Sequence, residues 1–139
     1  KPDGAPFKFG VRDPRGSAND YIAVMTLPNS TMATSGDYER YFIQDGVRYH
    51  HILDPATGYP AQTDLLSVSV VSEDGAYADY MSTYLFIKGK EYVLAHLNEF
   101  ENCGFIAIDQ DKNVYVSDNL LDQMEPADAT GQYHFEVPA

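Results

Sequence analysis

Two adjacent histidines, His50 and His51, lie in a predicted strand that runs into a turn, and they could take part in proton transfer. They precede Asp54-Pro55 in residues 49–60, a stretch punctuated by two prolines and a glycine. An imidazole gains or loses a proton near neutral pH, which suits acid–base catalysis. Alternate residues of a strand face opposite sides, so His50 and His51 cannot enter one pocket unless the strand bends. One of them is therefore expected to be structural, and spacing alone favours a hydrogen-bonded packing role for either.

A shared site for His51 and Asp54 has a further requirement. Strict alternation places the two side chains on opposite faces of the strand. The chain must therefore twist at Asp54-Pro55, and the proline makes such a bend plausible because it biases the preceding residue away from helical conformation.

A carboxylate and two hydroxyls lie close together in residues 79–83, which are expected to be helical. Asp79 and Thr83 stand four residues apart and share a helix face, with Ser82 close to them. Such hard oxygens suit Mg²⁺, which takes few protein ligands and completes its shell with waters and substrate phosphate. The alternative is that Asp79 merely favours the start of the helix while the hydroxyls face solvent or bond to backbone carbonyls. Spacing alone favours that alternative.

Residues 33–41 are rich in small side chains and are interpreted as a turn leading into a hairpin. The backbone of this turn and Arg40 could contact a phosphate group, although a plain tight turn explains the pattern equally well. The sequence contains no Walker pattern, no Gly-x-Ser-x-Gly elbow and no paired Cys/His spacing typical of zinc sites.

The charge balance excludes several partners. Twenty-one acidic and nine basic side chains give a formal net charge of -12. This charge repels nucleic acids and anionic lipid surfaces, so no nucleic-acid partner is expected. A nucleotide ligand would need a bound cation, a local arginine or inward-pointing backbone N–H groups. No apolar run reaches the roughly 18 residues of a membrane span, and the lone Cys103 cannot form an intrachain disulfide.

The elements that must position these side chains follow from hydrophobic periodicity and turn residues. One α+β domain over residues 1–139 is expected, with a mainly antiparallel sheet and two helices packed on it. The predicted strands are residues 7–12, 21–27, 38–44, 47–53, 65–72, 105–108 and 114–116. Asp45-Gly46 predicts a tight type I′ hairpin turn. One predicted helix starts near Glu73 and Asp74, which supply acceptors and negative charge there, and extends to Gly89. A second is predicted over residues 90–100, and the tail from Asp122 is expected to be partly mobile.

Taken together, the three segments resemble the ApbE family in order and spacing. The resemblance covers residue 9 to about residue 120. The motifs that carry it are Thr34-Ser35-Gly36-Asp37-Tyr38, then His50-His51-Ile52-Leu53-Asp54-Pro55 with Thr57-Gly58-Tyr59-Pro60, then Ala78-Asp79 with Ser82-Thr83. The resemblance implies the C-terminal part of an ApbE-like domain of T-fold-like architecture, with the N-terminal half of the family pattern absent from this chain.

Members of this family are FAD:protein FMN transferases, so the resemblance implies FAD as substrate and Mg²⁺ as cofactor. FMN would pass from FAD to a Ser or Thr hydroxyl of an acceptor flavoprotein, with AMP as leaving group. The resemblance assigns catalytic positions to His51 and Asp54. It assigns metal binding to Asp79, Ser82 and Thr83, and the flavin pocket to Thr34, Ser35, Gly36, Arg40, Ile52 and Leu53.

The resemblance also implies partners and a location. The acceptors would be flavin subunits of membrane redox complexes. The full-length parent would be a lipoprotein outside the cytoplasm, in the bacterial periplasm or at the cell surface. The fragment is expected to be inactive alone. A flavin-binding module without transferase activity and a non-catalytic structural domain are the alternatives; flavin retention without AMP release would favour the first, and no flavin binding by the intact parent the second.

Overall fold

The computed structural model describes residues 1–136, over which the chain forms ten strands, two α-helices and one 3-10 helix. The strands are β1 (Phe7–Arg12), β2 (Tyr21–Leu27), β3 (Thr31–Gly36), β4 (Tyr41–Gln44), β5 (Val47–His50), β6 (Leu65–Ser72), β7 (Gly104–Asp109), β8 (Asn113–Val116), β9 (Met124–Pro126) and β10 (His134–Glu136). The helices are α1 (Gly75–Lys88) and α2 (Lys90–Ala95), and the 3-10 helix is Asp118–Gln123.

A five-stranded sheet in the order β10-β8-β7-β6-β3 lies at the centre, antiparallel except for the pairing of β10 with β8. Alternate side chains of β7 enter two separate apolar clusters. Phe105 and Ala107 pack with α1 and α2, whereas Ile106 and Ile108 pack with β1 and β2. The central sheet is therefore covered by helices on one face and by the β1-β2-β9 sheet on the other. The predicted α+β class with a mainly antiparallel sheet is confirmed.

Helix α1 begins and ends where its capping residues predict. The carboxylate of Asp74 accepts hydrogen bonds from the N–H groups of Ala76 and Tyr77 at 3.0 and 3.2 Å, which satisfies two of the free donors of the first turn. Gly89 ends the helix with a φ of 83° and donates its N–H to the carbonyl of Leu85. Helix α1 packs across β3 and β6, and Ser82 and Thr83 near its middle lie within hydrogen-bond distance of Ser35 on β3.

The hairpin predicted at Asp45-Gly46 is present as β4 and β5. Both turn residues have positive φ angles, 52° and 78°, as a type I′ turn requires. Its first strand starts at Tyr41 rather than residue 38. Its second strand ends at His50 rather than residue 53, because the chain leaves the ladder after His51 donates its N–H to the carbonyl of Arg40.

Three other sequence predictions differ from the structure. Residues 33–36 were interpreted as part of a turn but belong to β3, whose pairing with β6 runs from Thr31–Ser72 to Gly36–Ser67. Helix α2 stops at Ala95 instead of residue 100. The tail, expected to be weakly ordered, adds β9 to β2 and β10 to β8, and its buried Tyr133 donates a hydrogen bond to Asp13. Residues 137–139 of that tail lie outside the described residues.

Asp109 is a buried carboxylate that joins α2 to the end of the central sheet. It is 1% exposed and accepts hydrogen bonds from Lys90 Nζ at 2.6 Å, Asn113 Nδ2 at 2.9 Å and Tyr115 Oη at 3.1 Å. Burial raises the pKa of this carboxyl, but the bonds from Lys90 and Asn113 outweigh burial and lower the pKa to about 2. The ionised form is therefore the one that the fold stabilises.

Acid should remove that stabilisation. Because the folded pKa of Asp109 lies below the ordinary value of 3.8, its contribution to the free energy of unfolding is present above pH ~5 and is lost as pH falls toward 2. The shift corresponds to about 2 kcal/mol. Urea unfolding between pH 6 and pH 2 should show this loss in the wild type and in Asp111→Asn, an exposed control in the same turn. It should be missing in Asp109→Asn; an unchanged acid dependence in that variant would contradict the assignment.

Candidate functional site

A surface cavity of about 640 Å³ opens where the ends of β3 and β5 meet the N-terminal half of α1. We call it the front cavity. Its lining residues are Thr34, Ser35, Gly36, Glu39, Arg40, His51, Ile52, Leu53, Asp79 and Thr83. All of them except Glu39 were singled out from the sequence. Of the eleven sequence-predicted site residues, only Ser82 and Asp54 are missing from this lining.

A chain of hydroxyl groups lies at the base of the front cavity. Ser82 Oγ donates to the backbone carbonyl of Asp79 at 2.9 Å, and Ser35 Oγ lies 2.9 Å from Ser82 Oγ and 3.1 Å from Thr83 Oγ1. Each hydroxyl has one proton. The proton of Ser82 is used on the carbonyl, so Ser35 donates to Ser82 and Thr83 donates to Ser35. Thr83 therefore keeps oxygen lone pairs that can bind a cation.

Ser82, a predicted metal ligand, is fully buried beneath this lining rather than in it. Its hydroxyl connects β3 to α1 through Ser35 and bonds to the carbonyl of Asp79. The position of Ser82 therefore supports the hydroxyl chain that holds Thr83. The Ser82 hydroxyl is fully buried and bonded on both sides, so a cation in the front cavity does not reach it.

Replacing Ser82 by alanine should measure that supporting role. The variant loses a buried acceptor for Ser35, and leaving a buried donor without a partner costs about 1–3 kcal/mol. We expect the free energy of unfolding in urea to fall by that amount. Ser17→Ala is the matched control, because Ser17 is exposed and its loss should stay within about 0.5 kcal/mol. Equal stability of the two variants would refute the buried role.

Asp79 is exposed, and its carboxylate has no hydrogen bond or ion pair among residues 1–136. It lies one helical turn before Thr83, and both line the front cavity. One free carboxylate and one hydroxyl are donors that suit Mg²⁺, which usually keeps several waters and binds substrate phosphate. Within the described part of the chain no three His, Cys, Asp or Glu side chains form a metal-binding group. These residues would thus supply only part of a coordination shell.

The two adjacent histidines have different surroundings, as strand alternation predicts. His50 is buried, with Nε2 3.0 Å from the carbonyl of Ala61 and its ring edge-on to Phe86. His51 is exposed at the front cavity, and its Nδ1 lies 3.3 Å from the carbonyl of Arg40. A carbonyl only accepts hydrogen bonds, so Nδ1 carries the proton and Nε2 of neutral His51 is the basic nitrogen.

Asp54 does not line the front cavity with His51. Its Oδ1 accepts from the N–H of Ala56 at 2.9 Å, and its carbonyl accepts from the N–H of Gly58 at 2.8 Å. These bonds close the loop that ends in the bridge between Leu53 and Pro60. These bonds indicate that Asp54 stabilises the conformation of the loop that follows Leu53.

Two ion pairs hold the turn between β3 and β4, and sequence spacing gave no signal for either. Glu39, the one lining residue not predicted, accepts from Arg12 Nη1 at 3.0 Å. Asp37 is buried and accepts hydrogen bonds from both terminal nitrogens of Arg15, at 2.8 and 2.7 Å. The hydrogen bond to Asp37 raises the pKa of Arg15. This bidentate pair fixes the turn that carries Arg40 into the front cavity.

Known proteins are similar to this chain in sequence and in fold. A sequence model described as the ApbE family matches residues 1–107. The FAD:protein FMN transferase of Treponema pallidum (strain Nichols) is 42% identical over 123 residues, which cover 88% of this chain and 34% of that protein. The FAD:protein FMN transferase of Klebsiella pneumoniae (strain 342) is 38% identical over 121 residues, covering 87% of this chain and 38% of that protein.

Solved structures agree with these sequence matches. The crystal structure of the ApbE protein from Thermotoga maritima superposes with a TM-score of 0.79 at 40% identity, covering 88% of this chain and 40% of that one. The flavin transferase ApbE from Vibrio cholerae gives a TM-score of 0.71 at 29% identity, covering 88% and 39%. The chain spans between 34% and 40% of the length of these four proteins. On the match over residues 1–107 and on these relatives, the chain belongs to the ApbE family.

Proposed function

We propose that this chain supplies part of the active site of an FAD:protein FMN transferase, acting within a longer parent protein. The observation that carries the proposal is the meeting of Asp79, Thr83 and His51 in the front cavity. These are a free carboxylate, a hydroxyl held by hydrogen bonds and an exposed imidazole. Relatives that carry the name FAD:protein FMN transferase support the same reaction.

The proposed substrate brings a pyrophosphate to a protein with a net charge of -12. Bound by Asp79 and Thr83, Mg²⁺ would offset the charge of the FAD pyrophosphate and of the departing AMP. Arg40 adds a second positive charge at the same lining. Ser35 holds the Thr83 hydroxyl in place through the buried chain described above, so little reorganisation is needed when the substrate binds.

In the proposed transfer reaction, His51 accepts the proton of the acceptor hydroxyl. The acceptor Ser or Thr oxygen forms a bond to the FMN phosphorus, and the bond from that phosphorus to the oxygen shared with AMP breaks. The hydroxyl proton passes to Nε2 of His51, whose Nδ1 stays bonded to the Arg40 carbonyl. Ile52 and the half-exposed Leu53 offer an apolar wall for the flavin ring.

A second candidate is a flavin-binding module without transferase activity. The single free carboxylate at the front cavity favours it, because one carboxylate binds Mg²⁺ weakly unless other ligands join it. The two candidates differ in their product. Only the transferase releases AMP and leaves flavin covalently attached to another protein.

The partners and location belong to the same proposal and rest on family membership. The acceptors are flavin subunits of membrane redox complexes, and the parent is a lipid-anchored protein of the periplasm or cell surface. Among residues 1–136, no helix combines the length and apolar character needed to cross a membrane.

The test is a transfer assay with the parent protein, FAD, Mg²⁺ and a flavin subunit of a membrane redox complex as acceptor. Covalent flavin fluorescence on the denatured acceptor and AMP in the supernatant are measured together. The proposal expects equal amounts of both, and neither when EDTA removes the metal. FAD retained without AMP release would favour the binding module instead.

A further inference from the structure

A second cavity of about 550 Å³ lies on the other side of the β5 end from the front cavity. We call it the reverse cavity. His50 lines it, whereas His51 lines the front cavity. Arg15, Asp37, Arg48 and Lys112 are among its other lining residues.

The reverse cavity is positively charged in a strongly acidic protein. Three basic side chains line it against one carboxylate, while the whole chain has a net charge of -12. Arg15 and Asp37 form the bidentate pair described above and neutralise each other. The remaining two cations, Arg48 and Lys112, have no carboxylate partner among residues 1–136.

Both cations contact aromatic rings and neutral oxygens, and Lys112 Nζ lies 5.2 Å from the centroid of the Tyr133 ring. Arg48 lies 4.0 Å from the centroid of the Tyr41 ring and makes one long hydrogen bond, 3.4 Å, to the backbone carbonyl of Asp37. Lys112 donates to the neutral side-chain amide of Gln132. A guanidinium has five N–H donors, so Arg48 can bind an oxyanion and still keep both contacts.

His50 supplies a second, independent sign of a missing partner. The residue is 8% exposed, its Nε2 donates to the carbonyl of Ala61, and its buried Nδ1 has no partner in the described part of the chain. In the neutral ring that nitrogen needs a donor. Buried polar atoms without partners are uncommon in folded proteins, and ligands or waters often satisfy them.

We propose that the reverse cavity is a second binding site, for a phosphate monoester, separate from the FAD site proposed for the front cavity. Near neutral pH a phosphate monoester carries about 1.5 to 2 negative charges, which match the two cations Arg48 and Lys112 in the lining. A carboxylate carries a single charge at this pH and so matches only one of the two cations.

The test titrates the 139-residue chain with inorganic phosphate, AMP and acetate at constant ionic strength, by calorimetry and by NMR of the His50 and Arg48 side chains. Phosphate should bind with saturation and shift both signals, and acetate should bind at least tenfold more weakly. Tighter binding of AMP than of phosphate would identify a nucleoside monophosphate as the ligand. Equal binding would identify the phosphate group as the whole recognition element. Acetate binding as tight as phosphate would overturn the proposal.

Variants separate this site from general charge attraction. Arg48→Gln should weaken phosphate binding at least tenfold, whereas Lys8→Gln removes the same charge from an exposed strand position and should change it less than twofold. Arg48→Lys keeps the charge and should retain most of the binding, which covers the case in which Arg48→Gln does not fold. Asp79→Ala, in the front cavity, should leave phosphate binding unchanged. Equal weakening by Arg48→Gln and Lys8→Gln, or loss in Asp79→Ala, would overturn the proposal.

Discussion

Replacing Asp79 by alanine in the full-length parent is expected to abolish magnesium-dependent transfer of FMN. Asp79 is the only carboxylate of the front cavity that has no ion pair among residues 1–136, since Glu39 is bonded to Arg12. Without it, Thr83 alone holds the cation weakly. Covalent flavin on the acceptor, measured by fluorescence of the denatured protein, should fall to the level seen with EDTA.

The fold should survive this substitution, because the Asp79 side chain is exposed and has no bond to lose among the described residues. Glu91→Ala is the matched control: it removes one exposed acidic side chain from α2, away from the front cavity. The control should transfer FMN at the wild-type rate. Undiminished transfer by Asp79→Ala would rule out its role as a metal ligand.

Replacing His51 by asparagine is expected to slow transfer by about 10²–10⁴-fold, the usual contribution of a positioned acid–base group. Asparagine can still donate to the Arg40 carbonyl but has no basic nitrogen. FAD binding should therefore stay near the wild-type level while AMP release in a single turnover falls. His134→Asn, an exposed histidine on β10, is the control and should keep the wild-type rate. A rate for His51→Asn within threefold of wild type would show that another group takes the proton.

Much of this architecture could be predicted because local signals and tertiary packing agree. Asp45-Gly46 has few conformations open to it other than a positive-φ turn, and both residues adopt one. Asp74 and Gly89 mark the two ends of α1 because their capping roles are local. In each case a few neighbouring residues determine the backbone conformation, and tertiary contacts leave the locally preferred structure unchanged.

The last four residues of strand β3 were not predicted as a strand, because there local signals and tertiary packing disagree. These residues, 33–36, are small or polar and end in Ser35-Gly36, which are typical turn residues, so their sequence resembles a turn. Pairing with the buried strand β6, together with the hydrogen bond between Thr34 and Ser69, makes them a strand. These are contacts more than 30 residues apart in sequence, which no local pattern contains. The short tail strands β9 and β10 were missed in the same way.

The structure brings most of the sequence-predicted site residues together, while their roles stay predictions. Nine sequence-predicted residues meet in the front cavity, because family motifs record spatial neighbours that local periodicity cannot reveal. The burial of Ser82 and the use of Asp54 in its own loop could not be read from those motifs. Both depend on which side chains finally occupy the space between β3, α1 and the loop after β5.

The most direct test of the proposed site is calorimetric titration of the parent with FAD, with and without Mg²⁺, in the wild type and in Asp79→Ala. We expect wild-type binding to strengthen at least tenfold when Mg²⁺ is present, and Asp79→Ala to bind equally weakly in both conditions. Equal FAD affinity of the wild type with and without Mg²⁺, or an undiminished magnesium effect in Asp79→Ala, would contradict a magnesium-assisted FAD site in the front cavity.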